Sequence, residues 1–264
     1  MKANQLLGCD AHEHDDRDYD AAQWLVQEAT DAVYSLRHLS PPVWSQVGPS
    51  CSASAVAGAV AVVEGATRVP PADPPAPHFI YYGARRAKKP TGLLTAGGTS
   101  LRGCLAALAK LGCPNESEWP QSKVNLYRRP TFASQLAANK RHGIAYRAIK
   151  QDGDERVKDV LRSLRARMPV VFGTAVAESF LTNSGPRVVH APGPTDPIAG
   201  RHAMVVIGAI KRRDRSGWEF EVRNSWGPGW RDDGHAWLHE DYIADARTDG
   251  LFIVTGAWKA RGNR

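Results

Sequence analysis

Residues 45–60 read SQVGPSCSASAVAGAV and place Cys51 between a loop that contains glycine and proline and a run of small apolar residues. The run continues to Glu64 and stops at Gly65, a pattern that predicts a helix beginning at the cysteine. A thiol at a helix N-terminus lies at the positive end of the helix dipole, which favours the thiolate form. Cys51 is therefore either a small buried residue or a nucleophile, depending on which groups the rest of the chain brings to it.

The composition indicates a globular protein without membrane spans or a disulfide framework. The 264 residues are 42% hydrophobic and 23% charged, which fits one large domain or two lobes that share a core. No apolar run reaches the roughly 18 residues of a membrane span, and four cysteines are too few for a disulfide scaffold at this length. The N-terminus turns acidic early and lacks the apolar core of a signal peptide. We expect reduced thiols and a cytoplasmic protein, or one exported by a system that needs no signal peptide.

The net charge of +7 comes from basic residues in scattered groups, RRAKK at 85–89, RSLRAR at 162–167 and KRRDR at 211–215. None of these groups is interleaved with aromatic residues, as a stacking platform for nucleic acid would be. The pattern is typical of a solvated basic surface, so we expect neither a nucleic acid nor a membrane as partner. The sequence leaves the oligomeric state open, and we favour a monomer.

The pattern of apolar residues divides the chain into a helical half and a β half. The predicted helices cover 51–64, 101–112 and 155–167. The predicted strands cover 169–176, 203–210, 218–223, 235–238 and 251–255. A weak helical period also runs over 21–39, and the five prolines of 68–78 indicate a loop. A cleft between two such halves is a natural ligand site.

Two residues in the β half supply what a catalytic thiol needs. Such a thiol needs a histidine that holds its proton and delivers it to the leaving group, and a third group that orients the imidazole. His202 opens the apolar strand GRHAMVVIGAI, and Asn224 ends the next strand in EVRNSWGPGW. If KRRDRSG forms the turn of a hairpin between these strands, the two side chains fall at the same end. The asparagine oxygen can then accept the proton of one ring nitrogen and leave the other directed at Cys51.

The segments QVGPSC, HAMVVIGA and NSWGPGW, in this order, resemble the papain-like cysteine peptidases of the C1 type. His202 and Asn224 follow Cys51 by 151 and 173 residues, compared with roughly 130–150 in the family. The match is closer to a bacterial branch without a long prosegment, in which no tryptophan follows the nucleophile and PPVWSQ, FIYYGARR and PVVFGTAVAESF recur in the same order. The resemblance covers about residues 40–255. It implies an α+β, two-lobed fold, with a helical N-terminal lobe that carries the nucleophile and an antiparallel, β-barrel-like C-terminal lobe that carries histidine and asparagine.

The resemblance also implies a role for each matched residue. Cys51 would be the nucleophile, His202 the base and acid, and Asn224 the residue that orients the imidazole. The other matched residues would support the reaction or bind substrate: Gln46 as an oxyanion-hole donor together with the backbone N–H of Cys51, Trp226 as a shield of the His–Asn hydrogen bond, and Ala203 as part of the main specificity pocket. The implied activity is that of a cysteine endopeptidase, which hydrolyses a peptide or protein substrate through a thioester acyl-enzyme and needs no cofactor.

Two departures from the family pattern concern the substrate cleft. Gln46 lies five positions before Cys51 instead of six, with Pro49 where a glycine is expected, so the oxyanion loop is one residue short. Loss of one oxyanion donor costs on the order of 10²–10³ in turnover. Arg201 replaces a glycine before His202. We expect its guanidinium near the primed side of the cleft, where it would favour acidic or C-terminal carboxylate groups.

The short loop leaves two alternative functions open. The chain could be a peptide-binding homologue with weakened catalysis, or a deamidase or acyl transferase with the same triad. The domain prediction is an N-terminal extension, 1–39, followed by a papain-like domain, 40–264; the extension either covers the cleft or straps the back of the domain. CDAHEHDD at 9–16 has metal-binding residue types without tetrahedral ligand spacing, so no metal site is predicted there.

Overall fold

The computed structural model describes residues 7–22, 25, 33–67, 73–91, 95, 97–141, 144–213 and 216–256. The helices are α1 Cys51–Thr67, α2 Pro77–Lys88, α3 Leu101–Leu111, α4 Phe132–Ala138, α5 Gly153–Arg165 and α6 Glu240–Ala244. The strands are β1 Val33–Ser35, β2 Ala145–Ala148, β3 Val170–Ala177, β4 Val188–Val189, β5 Ile198–Lys211, β6 Trp218–Arg223, β7 His235–His239 and β8 Asp249–Thr255. Among these helices, none has the length and apolar character to cross a bilayer.

The helix that begins at Cys51 runs through the core of the protein. Every residue of α1 from Cys51 to Glu64 is buried, because alanine, valine, serine and glycine surround the helix and let other elements approach on all sides. It packs against α2 and β5. The helix continues past Gly65 to Thr67, so the predicted end at Glu64 is wrong by three residues. The glycine instead permits close packing, since a Cβ there would lie 2.3 Å from the backbone oxygen of Leu39.

The ends of the next two helices follow local capping rules. Pro77 and His78, which the proline content assigned to a loop, form the first turn of α2, because proline fits a position whose N–H has no partner within the helix. Residues 68–72 of that predicted loop lie outside the described residues. The prediction of α3 is confirmed, since the Ser100 hydroxyl accepts a hydrogen bond from the N–H of Gly103 and Gly112 ends the helix with a φ of 72°.

The strands form one sheet in the order β2-β8-β3-β5-β6-β7-β4, with β1 also paired to β5. The pairs are antiparallel except β4 and β7, which are parallel. β5 pairs with β3 along its first part and with β6 along its second. The predicted α+β class, with a helical part that carries Cys51 and a large antiparallel sheet that carries His202 and Asn224, is confirmed.

The register of β5 determines where the two polar candidates lie. Thr174 of β3 pairs with His202, and Val205 of β5 pairs with Arg223 of β6. Asn224 follows Arg223 directly, so it lies at the same end of the sheet as His202. The predicted hairpin is therefore confirmed, although residues 214–215 of its turn lie outside the described residues.

The weak helical period of 21–39 does not form a helix where the structure describes it. Residues 33–35 form β1, antiparallel to Gly208–Ile210 of β5, and Arg37–Leu39 form a short 3-10 helix. Residues 33–35 can hydrogen-bond with backbone groups along the free edge of β5. These hydrogen bonds outweigh the weak helical preference of the segment, so a strand forms. The remaining residues of this prediction, 23–24 and 26–32, lie outside the described part of the chain.

Candidate active site

The structure brings His202 and Asn224 together. The Nε2 atom of His202 lies 2.7 Å from Oδ1 of Asn224. An amide oxygen can only accept, so Nε2 carries the ring proton and Nδ1 carries the lone pair. Nδ1 is buried and has no hydrogen-bond partner among the described residues. The imidazole is thus held in one tautomer and one orientation, with a free basic nitrogen.

Trp226 and the backbone of Ser225 support this pair. The indole ring of Trp226 lies over the imidazole of His202, with ring centroids 4.5 Å apart and planes inclined by 33°. The N–H of Ser225 donates to the same Oδ1 of Asn224 at 2.7 Å, which fixes which end of the amide faces the histidine. Trp226 lies where a shield of the His–Asn hydrogen bond would lie.

Cys51 lies at the first position of α1, next to the strand of the histidine. Its Sγ atom accepts hydrogen bonds from the backbone N–H groups of Ala203, the residue after His202, and of Gly8. Burial raises the pKa of Cys51 to about 11, against the lowering effect of these N–H groups. Burial also lowers the pKa of His202 to about 4, which the hydrogen bond with Asn224 only partly offsets. In this conformation the two groups are a neutral thiol and a neutral imidazole at pH 7.

Gln46 lies beside this site, and hydrogen bonds of its side chain join it to the loop and to Ser225. Its Nε2 donates to the backbone oxygen of Gly48 at 2.8 Å, and its Oε1 accepts from the hydroxyl of Ser225 at 2.6 Å. Gly48 has a φ of 71°, a left-handed conformation that glycine adopts without strain. The short loop therefore turns back on itself between Gln46 and Cys51, and the glutamine side chain bonds to the turn.

Three comparisons with known proteins bear on the fold. The scan against family models finds no match. An uncharacterized peptidase C1-like protein of Acanthamoeba polyphaga mimivirus is 26% identical over 236 residues, which is 85% of this chain and 74% of the relative. The crystal structure of xylellain, a cysteine protease from Xylella fastidiosa, superposes with a TM-score of 0.82 and 23% identity over 97% of both chains. A digestive procathepsin L of Tenebrio molitor larval midgut superposes with a TM-score of 0.68 and 16% identity, over 96% of this chain and 76% of the other.

The chain has the papain-like fold of the C1 cysteine peptidases. The resemblance indicated by the sequence motifs is thereby confirmed.

Residues 7–10 pass beside Cys51, and Gly8 contacts its thiol. The backbone oxygen of Gly8 accepts from the N–H of Thr99 at 2.9 Å, and the N–H of Asp10 donates to the oxygen of Thr99 at 3.1 Å. The strand-like contact is parallel. A Cβ on Gly8 would lie 2.4 Å from the oxygen of Pro49, so the segment fits closely against the oxyanion loop. Cys51 and His202 are both fully buried.

Cys9 occupies the space beside the predicted specificity pocket. Gly173 pairs with Ala203 across β3 and β5, and a Cβ on Gly173 would lie 2.8 Å from Sγ of Cys9. Cys9 is buried, and all four cysteines of the chain are free thiols. Burial raises the pKa of Cys9 far above its usual value. Its side chain is therefore a small neutral group that packs against Gly173 of β3.

Arg201 is paired with a carboxylate in this structure. Its Nη2 atom is 2.5 Å from Oδ1 of Asp249, and its Nη1 donates to the backbone oxygen of Arg247 at 3.2 Å. Its position near the primed side, with a preference for acidic or C-terminal carboxylate groups, stays a prediction.

His78 is a residue of the site that sequence reasoning missed. Its side chain is fully buried; Nε2 lies 3.1 Å from the backbone oxygen of Val47, and Nδ1 accepts from the N–H of Ser122 at 3.3 Å. Burial lowers its pKa to about 4, so the ring is neutral and donates through Nε2. His78 thus supports the oxyanion loop from behind, at the residue after Gln46. No local pattern reveals this contact, because its partners are far apart in the sequence.

Proposed function

We propose that the chain is a cysteine endopeptidase with Cys51 as nucleophile, His202 as base and acid, and Asn224 as the residue that orients the imidazole. The observation that carries the proposal is the bond from His202 Nε2 to Asn224 Oδ1 at 2.7 Å, with the buried Nδ1 left without a partner among the described residues. The strand of His202 and the first turn of α1 are in contact at Ala203. The coarser statement, a cysteine peptidase, is also supported by the peptidase C1-like relative and by the structural similarity to cysteine proteases.

In the proposed reaction, Nδ1 of His202 takes the proton of the Cys51 thiol, and the thiolate attacks the carbonyl carbon of the scissile peptide bond. The imidazolium then gives its proton to the leaving amine, which releases the first fragment and leaves a thioester on Cys51. Water, activated by the same nitrogen, hydrolyses the thioester and restores the thiol. The net change is one water added and one peptide bond broken.

The oxyanion of the tetrahedral intermediate would be bound by the backbone N–H of Cys51 and by Nε2 of Gln46. The amide of Gln46 has two N–H groups, and one of them bonds to Gly48. Because the bond to Gly48 orients the amide within the short loop, Gln46 would act on the oxyanion from a fixed position.

We further propose that this conformation is latent and that residues 7–10 must leave the cleft before substrate enters. Support comes from the burial of Cys51 and His202, which holds the thiol and the imidazole neutral. Water that enters the open cleft reduces the desolvation of both groups, so the pKa of His202 rises and that of Cys51 falls. The thiolate–imidazolium pair would then form. This role of the extension, rather than a strap on the back, is the one that the contacts of Gly8 and Cys9 favour.

The test compares the wild-type protein with Gly8→Ala, because a Cβ on Gly8 overlaps the oxygen of Pro49, so the segment and the loop lose their present contact. Each protein is incubated with a peptide mixture, and the products are weighed by mass spectrometry. We expect Gly8→Ala to cleave peptides faster than wild type and to yield fragment pairs whose masses sum to that of the peptide plus one water. The double variant Gly8→Ala/Cys51→Ser should yield no fragments. Gly229→Ala is the matched control, since nothing lies within 4 Å of a Cβ there.

Two other outcomes would replace the proposal. Binding of peptide without any mass change, in Gly8→Ala as in wild type, would indicate a peptide-binding homologue. A small mass shift without fragments would indicate a deamidase or acyl transferase.

A further inference from the structure

A cluster of two histidines and one aspartate lies at one end of the parallel strand pair β4 and β7. Val188 pairs with Trp237 and Val189 with Leu238, so the residues that follow these pairs, His190 and His239, come to lie side by side. Asp241 follows two positions after His239, in the first turn of α6. The peptidase mechanism uses none of these residues. We propose that they form a binding site for one divalent transition-metal ion, with Zn²⁺ as the best-matched ion.

The potential ligand atoms of the cluster converge on one point. Nδ1 of His190 lies 2.6 Å and Nδ1 of His239 lies 3.1 Å from the same oxygen, Oδ2 of Asp241. The two imidazole rings have centroids 4.4 Å apart and are inclined by 32°. All three ligand atoms lie within 4.8 Å of one another. Metal–ligand bonds of about 2.0–2.2 Å in a tetrahedral site need a separation of about 3.3–3.5 Å between ligand atoms, which small side-chain rotations supply here.

The surrounding hydrogen bonds already orient two of the ligands. Nε2 of His239 lies 3.2 Å from the backbone oxygen of Ser216, and a carbonyl oxygen can only accept, so Nε2 bears the proton and Nδ1 carries the lone pair. Oδ1 of Asp241 accepts from the N–H of Ala191 at 3.1 Å, which directs Oδ2 towards the histidines. Partners of this kind, on the far side of each ligand, are what fixes tautomer and direction in protein metal sites.

Two contacts of the cluster are exchanged when an ion binds. Nδ1 of His239 accepts from the N–H of Asp241 at 3.3 Å, and this lone pair is the one that would bind the ion. Nδ1 of His190 lies 2.6 Å from Oδ2 of Asp241, and it offers its lone pair to the ion when its ring proton moves to Nε2. The ion thus replaces one long N–H contact and one histidine–carboxylate bond with bonds to two nitrogens and Oδ2.

The donor set selects the class of ion. Two imidazole nitrogens and one carboxylate oxygen suit Zn²⁺ and neighbouring transition metals, whereas Mg²⁺ and Ca²⁺ take oxygen donors almost exclusively. His190 is exposed, which gives the ion a path from solvent and leaves the fourth position to water. The ion would join the β4–β7 edge to α6, whose Tyr242 hydroxyl donates to the backbone oxygen of Ala175 on β3 at 3.3 Å.

The experiment is calorimetric titration of the untagged, full-length Cys51→Ser protein with Zn²⁺, in a buffer that does not bind metals. The substitution removes a thiol that could bind zinc together with His202. We expect one ion per chain, and weakening of the affinity by about tenfold or more in Cys51→Ser/His190→Asn and in Cys51→Ser/Asp241→Asn, because each loses one ligand. Mg²⁺ should give no binding.

The matched control is Cys51→Ser/His14→Asn, since His14 is an exposed histidine that lies beside a different aspartate, Asp16, at 3.0 Å. It should titrate like Cys51→Ser alone. Thermal melting without metal checks that each variant is folded. Because His190 is exposed, its substitution by asparagine should disturb packing least. Zinc binding of equal affinity in all four proteins, or no binding up to about millimolar zinc, would overturn the proposal. Neither result bears on whether the chain is a peptidase.

Discussion

The strand end that carries His202 and Asn224 and the loop that leads to Cys51 hold their side chains in different ways. The strand end is fixed by sheet register, and its bond from Nε2 to Oδ1 follows from the pairing of β5 with β6. The loop meets the other segment at its start, through the isolated bridge of Ser45 with Trp226 and the bond from the N–H of Gln46 to the oxygen of Ser225 at 2.7 Å, and then leaves it. Its conformation depends on Gly48, on the turn bond of Gln46 and on His78 from a distant helix. The comparison teaches that the proposed base, His202, is held by regular structure, whereas the proposed oxyanion donor, Gln46, depends on a few contacts that one substitution can remove.

The largest expected effect on turnover comes from a substitution at the strand end that carries His202 and Asn224. Asn224→Ala removes the acceptor of the His202 ring proton, so the imidazole loses its fixed tautomer. We expect turnover to fall by about 10²–10⁴, measured by peptide hydrolysis in the Gly8→Ala background. Asn183→Ala, an exposed asparagine whose amide donates to the backbone of Gly229, is the control. A loss below about threefold would mean that the register does not orient the base.

The next effect tests the loop. Gln46→Ala removes one proposed oxyanion donor, and turnover should fall by about 10²–10³. The rate of alkylation of Cys51 by iodoacetamide should stay the same, because alkylation forms no oxyanion. If hydrolysis is unchanged as well, the shortened loop does not use Gln46 in catalysis. If both rates fall together, Gln46 acts by holding the loop and not by binding the oxyanion.

A smaller effect is expected at His78. His78→Leu removes one of the donors to the oxygen of Val47 and leaves the Ser50 hydroxyl, which donates to it at 3.1 Å. The lost hydrogen bond should lower turnover by about tenfold, which corresponds to about 1.4 kcal/mol. His78→Gln, whose amide can also donate, should recover part of the loss, while the alkylation rate stays the same in both variants. Equal hydrolysis by His78→Leu and wild type would show that the loop does not need this support.

The smallest effect concerns Arg201. Its guanidinium is neutralised by Asp249, so an acidic preference should appear only when that carboxylate is removed. We expect Asp249→Asn to raise the relative cleavage of peptides with acidic residues by a few-fold, and Asp249→Asn/Arg201→Gly to abolish that gain. The two cleavage profiles are compared on one peptide library. Identical profiles would mean that Arg201 does not contact substrate.

The sequence predicts those parts of the molecule that local pattern controls. Cys51 at a helix start, the extent of α3 and the pairing of His202 with Asn224 all follow from periodicity, turn residues and hairpin order. The strand at 33–35 is missed because the free edge of β5, and not its own apolar period, determines its conformation. The contact of His78 with Val47 and the ion pair of Arg201 with Asp249 depend on residues that meet only after folding, so no spacing along the chain indicates them.

The central claim is that His202 activates Cys51 once residues 7–10 leave the cleft. The most direct measurement is the rate of Cys51 alkylation by iodoacetamide as a function of pH, for wild type, Gly8→Ala and Gly8→Ala/His202→Ala. Wild type should react slowly below pH 9, since burial raises the thiol pKa to about 11. Gly8→Ala should react fast from about pH 5 upward, as expected of a thiolate–imidazolium pair, and the double variant should react only near the pKa of an ordinary thiol. Identical profiles for Gly8→Ala and the double variant would contradict the account.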